Sequence, residues 1–327
     1  MHLPREECTA ESMSPSESSE RQAIMSPAVG LSAVAGGAGG SWYVLMEGLA
    51  RLVGEVHPDI QIGVIEGGGV SNHTRVGSGE IAMGILNPPM TAAAIAGRRP
   101  YDRMHRALRI GVANLTTNYL HCFVEHALPI ESVAAWLEQR RPVRMPVDRP
   151  GTVDRMVFQL TLDHFGVAEA DVEGWGGALV PANSYDEQLA LYRARSVNAL
   201  WQFMAIPSPS IEAANKLRPL RPLPFAESLI TTLEHLGWTG APLPEGAYGI
   251  VDRHIRTVAM GTSLGFHADV PDDLVYRIVR AICDHAARVR RIHPAASGFD
   301  PAAAHRLGRG PLHPGAAKYF REAGLLT

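Results

Sequence analysis

Lysine is nearly missing from this 327-residue chain: only Lys216 and Lys318 stand among its 30 basic residues. We take that arginine bias as compositional rather than as the mark of a phosphate-binding surface. An excess of either charge is missing too, since the 30 cations face 33 acidic residues for a formal net charge of -3. That balance removes the electrostatic case for nucleic acid or for an anionic membrane surface. Cysteine is scarce and odd in number. Cys8, Cys122 and Cys283 lie too far apart for a zinc motif or a disulfide framework. Cys122 falls in an apolar strand-like run and Cys283 in a helical one, so both predict buried structural thiols. The histidines form no H-E-x-x-H. His121 and His126, and likewise His285 and His293, are not at a ligand spacing on a helix, so neither a metal nor a cofactor is expected. No run approaches the roughly 20 apolar residues of a membrane-spanning helix. The Ser- and Glu-rich stretch 1–27 predicts a disordered tail without a basic segment leading into an apolar one. With Met1 as the true start, that predicts a cytoplasmic protein.

What is present is glycine, placed with purpose. The small apolar run Ala28–Val34 reads as a buried strand and is followed by Ala35-Gly36-Gly37-Ala38-Gly39-Gly40-Ser41-Trp42-Tyr43. From Val44 to Val53 the apolar residues recur at three and four positions, as on one helix face. Glycines let backbone approach a ligand, and the first N–H groups of a helix lack partners within it. With the helix dipole behind them they favour a carboxylate or a phosphate. The loop has neither G-x-G-x-x-G spacing nor a Lys-Ser/Thr ending, so it is an anion loop and not a nucleotide signature.

The arrangement recurs. A strand over Ile60–Ile65 leads into the turn Glu66-Gly67-Gly68-Gly69, and a short strand ends at Leu86 before Asn87-Pro88-Pro89. Strands are predicted over Leu108–Asn114, Tyr119–Val124, Arg144–Val147, Val197–Phe203 and Thr257–Gly265. Helices are predicted over Pro129–Gln139, Val153–Phe165, Tyr185–Ala194, Ala226–Leu236 and Leu274–Arg291. Alternating strand and helix argues for an α/β fold with mainly parallel sheets. Loops of similar chemistry in two halves suggest two lobes, with ligand outside the carboxyl ends of the strands.

Several of these blocks together resemble the TAXI class of solute-binding proteins, the substrate receptors of tripartite TRAP-type transporters. The first glycine block resembles that family's T-G-G-T-G-G-T-Y-Y loop, and Glu66–Asn72 with Gly79–Ala82 its second. Pro150-Gly151-Thr152 falls where the family has G-S-G-T. Asn198–Trp201, ending at Ile206-Pro207-Ser208-Pro209, sits where the family has D-A-F-F-V-T-G-G-x-P-x-P, and Leu274–Tyr276 and Leu312–Tyr319 resemble its closing helix and tail. The likeness runs from about Ala28 to the C-terminus.

The resemblance implies a bilobal periplasmic-binding-protein fold, type II-like, of two mainly parallel α/β lobes joined by a hinge. Lobe 1 would be 28–117 with 258–327 and lobe 2 would be 118–257, with crossings near Thr116–Leu120 and Arg256–Ala259. It implies a periplasmic receptor that clamps a small carboxylate, of the amino acid or dicarboxylate class, and meets the membrane subunits of a TRAP transporter. Mapped onto this chain, the ligand-binding residues would be Gly37, Ala38, Gly39, Gly40, Ser41, Trp42 and Tyr43 in the first loop, with Gly68 and Asn87. Lobe 2 would add Arg149, Gly151, Thr152 and Arg155, then Phe203 and Met204. The departures matter. Ala38 removes a hydroxyl that Ser41 keeps nearby, and Pro150 removes a hydroxyl and an N–H donor. Phe203-Met204-Ala205 puts bulk in place of T-G-G, and Arg149 or Arg155 could restore donors as a bidentate clamp.

No catalytic residue is predicted. An enzyme on this fold would draw on Asp148, Asp154, Glu66, His73 or Cys122, with Glu66 and His73 the least implausible pair, yet no nucleophile–base signature accompanies them. A ligand-sensing module kept inside the cell is the other alternative.

Overall fold

A computed structural model describes residues 29–37, 41–252, 254–306 and 308–327. The expected tail and the predicted ligand residues Ala38, Gly39 and Gly40 lie outside the described residues.

Four strands come first: β1 (Val29–Val34), β2 (Ile60–Ile65), β3 (Met83–Leu86) and β4 (Leu108–Val112). Next come β5 (Thr117–Glu125), β6 (Arg144–Val147), β7 (Ala178–Pro181) and β8 (Ala199–Met204). The last are β9 (Leu220–Pro222), β10 (Thr239–Leu243), β11 (Ile255–Gly261) and β12 (Ser263–His267). One sheet has the order β2-β1-β3-β12-β4 and builds lobe 1. A second has the order β10-β11-β5-β8, with β9 also on β5, and builds lobe 2 with the pair β6-β7. The chain is thus the bilobal α/β type expected.

Strand direction differs between the lobes. The pairs β1-β2 and β1-β3 are parallel, as is β6-β7. Every pairing in the second sheet is antiparallel. The expectation of mainly parallel sheets therefore holds for the strands with helical crossovers, not for β12, which pairs antiparallel with β3 and β4 in lobe 1, and not for the main sheet of lobe 2. The reason is connection geometry: β5 and β11 enter lobe 2 and leave it, so they run oppositely when paired.

Two short segments join the sheets, residues 113–116 and Thr262. The predicted single strand Thr257–Gly265 is two strands in two different sheets, and the second crossing lies at Thr262, past Arg256–Ala259. The crossings are tied to each other. The Thr116 and Thr262 hydroxyls are 2.8 Å apart and buried, and Leu115 N–H donates to the Thr262 carbonyl at 2.9 Å. Asn118 Nδ2 donates to the Thr116 hydroxyl at 3.0 Å.

Packing follows the sequence pattern. The helix Asp272–Asp284 buries Leu274, Val275, Ile278, Val279 and Ile282, one face of a 3.6-residue period. The predicted continuation to Arg291 breaks at His285, whose backbone (φ -109, ψ 32) leaves the helical region, and resumes as Ala286–Ile292. The helix expected over Pro129–Gln139 spans Val133–Glu138, because the Ser132 hydroxyl caps it by accepting from Ala135 N–H. One apolar cluster is confined to lobe 1 and one to lobe 2. A third runs through both and joins Leu86 and Met90 to Val153, Trp201 and Trp238.

Candidate ligand-binding site

Because β1, β2 and β3 are parallel, their carboxyl ends share one edge of the sheet. Each end turns into a helix there: Ser41–Val56, Gly69–Gly77 and Pro88–Ala96. The first starts at Ser41, three residues before the apolar periodicity begins, so Ser41, Trp42 and Tyr43 form its first turn. The third was not anticipated, and Pro88-Pro89 opens it instead of ending the segment. Proline suits a first turn, where its missing N–H would have had no partner. None of the three helices has an acidic residue in its first turn, so their positive ends are not compensated locally.

Asn72 holds these ends in register. Fully buried, it donates from Nδ2 to the Ala35 carbonyl (2.7 Å) and the Ile85 carbonyl (2.8 Å), and its Oδ1 accepts from Gly68 N–H (2.8 Å). One side chain thereby ties three loops, and the Gly68 amide is engaged inside the protein. A Cβ on Gly67 would stand 2.1 Å from Asn72 Oδ1, so that turn excludes any side chain. His73 repeats the device. Its Nδ1 is 2.7 Å from the Gly69 carbonyl and must carry the proton. Its Nε2 then accepts, facing the Thr91 hydroxyl at 3.1 Å and Asn87 N–H at 3.4 Å. Burial pushes its pKa down to about 4, so the ring is neutral. Sequence reasoning missed Asn72. The signal was a polar residue on the inward face of a helix following a glycine turn.

Asn87 caps the third helix, its Oδ1 accepting from Met90 N–H at 3.2 Å. That bond fixes the amide orientation and leaves Nδ2 buried without a partner among the described residues. An unpaired buried donor costs about 1–3 kcal/mol unless something accepts from it.

Lobe 2 presents the loop Asp148–Thr152 ahead of the helix Val153–His164. The Thr152 hydroxyl is used within the loop, accepting from Arg155 N–H (3.1 Å) and donating to the Arg149 carbonyl (3.0 Å). Gly151, at φ +91, points its carbonyl across the cleft and accepts from Val70 N–H at 3.1 Å. The turn at Gly237 also approaches Pro88-Pro89, so the lobes touch at both glycine positions.

Beneath that loop Asp154 is buried. Its Oδ1 accepts from Phe203 N–H at 2.7 Å and lies 2.9 Å from the Tyr185 hydroxyl. Desolvation first, and the Asp148 charge second, raise its pKa to about 7. The Tyr185 hydroxyl also lies 3.1 Å from the Phe203 carbonyl and has one proton for two acceptors. That proton is shared between the Asp154 carboxyl and the Phe203 carbonyl, with Tyr185 as the donor to both.

The predicted residues are therefore sorted by position. Trp42 is half-buried against the lobe 1 cluster and the shared one, and Tyr43 packs on lobe 1. Gly37 and Ser41 are exposed. Arg149 is exposed, and no hydrogen bond or ion pair among the described residues engages its guanidinium, whereas Arg155 pairs with Glu169. The Phe203 side chain lies within the shared apolar cluster, opposite Leu120 in the sheet. Met204 pairs with Tyr119 near the hinge and is half-buried. Among the residues weighed for catalysis, both ring nitrogens of His73 are occupied, and burial pushes the Cys122 thiol far up. Among the described residues no group of His, Cys, Asp and Glu is placed to hold a metal.

The profile of the NMT1-like family matches residues 34–324, and the chain belongs to that family. Among solved structures it is similar to malate-bound MatC from Rhodopseudomonas palustris, at 13% identity and a TM-score of 0.52 over 81% of this chain and 88% of that one. It is also similar to a periplasmic transporter protein, at 12% identity and a TM-score of 0.50 over 92% and 94%. Rpa4515 of R. palustris, solved with adipate, matches at 17% identity and a TM-score of 0.49 over 90% and 95%. The first two share the fold, which is the bilobal fold of periplasmic solute-binding proteins.

Proposed function

We propose that this chain is a solute-binding receptor that clamps a small carboxylate between its lobes. The observation that carries the reading is the meeting of three helix N-termini in lobe 1, none with an acidic residue in its first turn, beside Asn87 Nδ2, which has no partner among the described residues. Such ends favour an anion. Ligand contacts would come from Gly37 and the loop through Ser41, from Trp42 and Asn87, and across the cleft from Arg149, Gly151 and Met204. Gly68, Thr152, Arg155 and Phe203 would act by shaping that wall, since their polar groups or side chains are engaged within the protein. Lobe 1 would comprise the chain before and after the hinge pair Thr116 and Thr262, and lobe 2 the chain between them.

The ordered blocks that resemble the TAXI class support delivery to the membrane subunits of a TRAP transporter from the periplasm, without chemistry on the ligand. Malate and adipate, carried by the similar structures, define the ligand class to try first. Isothermal titration of the full chain with malate, adipate and glutamate, against their neutral amides, tests the reading. Saturable binding of a carboxylate and at least tenfold weaker binding of its amide are expected. Equal affinity for acid and amide would refute the anion seat.

A further inference from the structure

On lobe 1 a cavity of about 340 Å³ opens between the helices Ser41–Val56 and Ala286–Ile292. Its walls share no residue with the cleft loops. It is lined by the apolar Val44, Leu52 and Ile292 and by Arg51, Arg288 and Arg291 against the single carboxylate of Glu47. Arg288 is paired with Glu55. Arg51 and Arg291 are exposed, and no ion pair or hydrogen bond among the described residues engages either guanidinium. Glu47 stands four residues before Arg51, the favourable order on a helix, yet no ion pair joins them among the described residues.

We propose that this cavity is a second anion site, independent of the cleft, for a small multivalent oxyanion. Arg51 and Arg291 line one volume together with the Glu55-paired Arg288, and a guanidinium offers a planar fork that matches two oxygens of a carboxylate or phosphate. The volume lies at the small end of ligand sites, which suits a polycarboxylate or a phosphate and not a polymer.

Titration of the full chain with citrate and separately with inorganic phosphate, followed by backbone amide chemical shifts, tests this. Saturable shifts at Glu47–Leu52 and Arg288–Ile292 are expected for at least one anion, and the tighter of the two identifies carboxylate or phosphate as the source. The double variant Arg51→Ala with Arg291→Ala should weaken that binding about tenfold or more. Arg321→Ala, at an exposed arginine on another helix, should change it less than twofold. Shifts that never saturate, that fall at the cleft loops alone, or that weaken equally with Arg321→Ala would overturn the site. Malate titration of the same variants separates this outcome from failure of the cleft reading.

Discussion

The two lobes bring helix ends to the cleft with different first turns. In lobe 1 the helices starting at Ser41, Gly69 and Pro88 have no acidic residue in their first turn, and their loops are tied by the neutral side chains of Asn72 and His73. In lobe 2 the helix starting at Val153 carries Asp154 in its first turn, buried and bonded to Phe203 N–H. Lobe 1 thus meets its helix ends with neutral acceptors only, Asn87 Oδ1 on Met90 N–H and the Gly151 carbonyl of lobe 2 on Val70 N–H, whereas lobe 2 places a carboxyl group in the first turn itself. If the cleft binds an anion as proposed, the ligand's charge falls on the lobe 1 wall and the lobe 2 wall supplies shape and closure.

The largest way to break the comparison is Asn72→Ala. It strands the Ala35 and Ile85 carbonyls and Gly68 N–H in a dry environment. At about 1–3 kcal/mol for each unsatisfied group, partly relieved by relaxation, a loss of about 4 kcal/mol in denaturant unfolding is expected. Amide exchange should accelerate together at residues 35–37, 66–70 and 85–88. Acceleration at one loop alone would mean that Asn72 does not couple the three.

Asp154→Asn sharpens the other side. The native pKa of about 7 lies above the ordinary 3.8, so between those values the folded state holds more protons than the unfolded one. Stability from this group is therefore fully present below about pH 4, is lost as pH rises toward 7, and stays lost above. The neutral amide removes that loss. Asp154→Asn should match the parent near pH 4 and exceed it by on the order of 4 kcal/mol at pH 8. His73 and His121, both near 4 and neutral when folded, give the opposite slope between pH 4 and 6.5 in parent and variant alike. The difference between the two proteins thus isolates Asp154. No pH dependence in that difference would mean that Asp154 is already ionised at pH 4.

What the chain disclosed in advance was local. The turns at 66–69 and 148–152 were legible because glycine and proline punctuate them and an apolar period follows. The helix Pro88–Ala96 was not legible: it is apolar on nearly every side, so no period distinguishes it, and Pro-Pro reads as a stop as readily as a start. The break at Thr262 left no mark either, since threonine fits a strand and the change of sheet depends on partners far along the chain. Antiparallel pairing in lobe 2 is equally non-local.

Gly151→Ala tests how the walls meet. A Cβ there would lie 3.7 Å from Val70, an ordinary contact, so any cost comes from the backbone at φ +91 and not from crowding. That conformation costs a side-chain-bearing residue about 1–2 kcal/mol. Because the Gly151 carbonyl accepts from Val70 N–H across the cleft, relaxation of the strain should appear as weaker ligand affinity, about tenfold by titration. Unchanged affinity with lowered stability would show that the loop keeps its bond to lobe 1 and bears the strain within lobe 2.

The smallest effect separates two arginines that sequence alone could not distinguish. Arg155 is held by Glu169 at a partly exposed pair, and such pairs contribute about 0–1 kcal/mol, so Arg155→Ala should change stability by that amount and ligand affinity hardly at all. Arg149 sits two residues before Gly151 with its guanidinium unengaged among the described residues. If lobe 2 contributes any charge to the ligand, Arg149 is the residue that can deliver it, and Arg149→Ala should weaken a carboxylate by about 1.5 kcal/mol while leaving its neutral amide unaffected. Equal weakening of acid and amide would show that Arg149 acts through loop shape. The charge would then be carried by lobe 1 alone, the strict form of the asymmetry between the two walls.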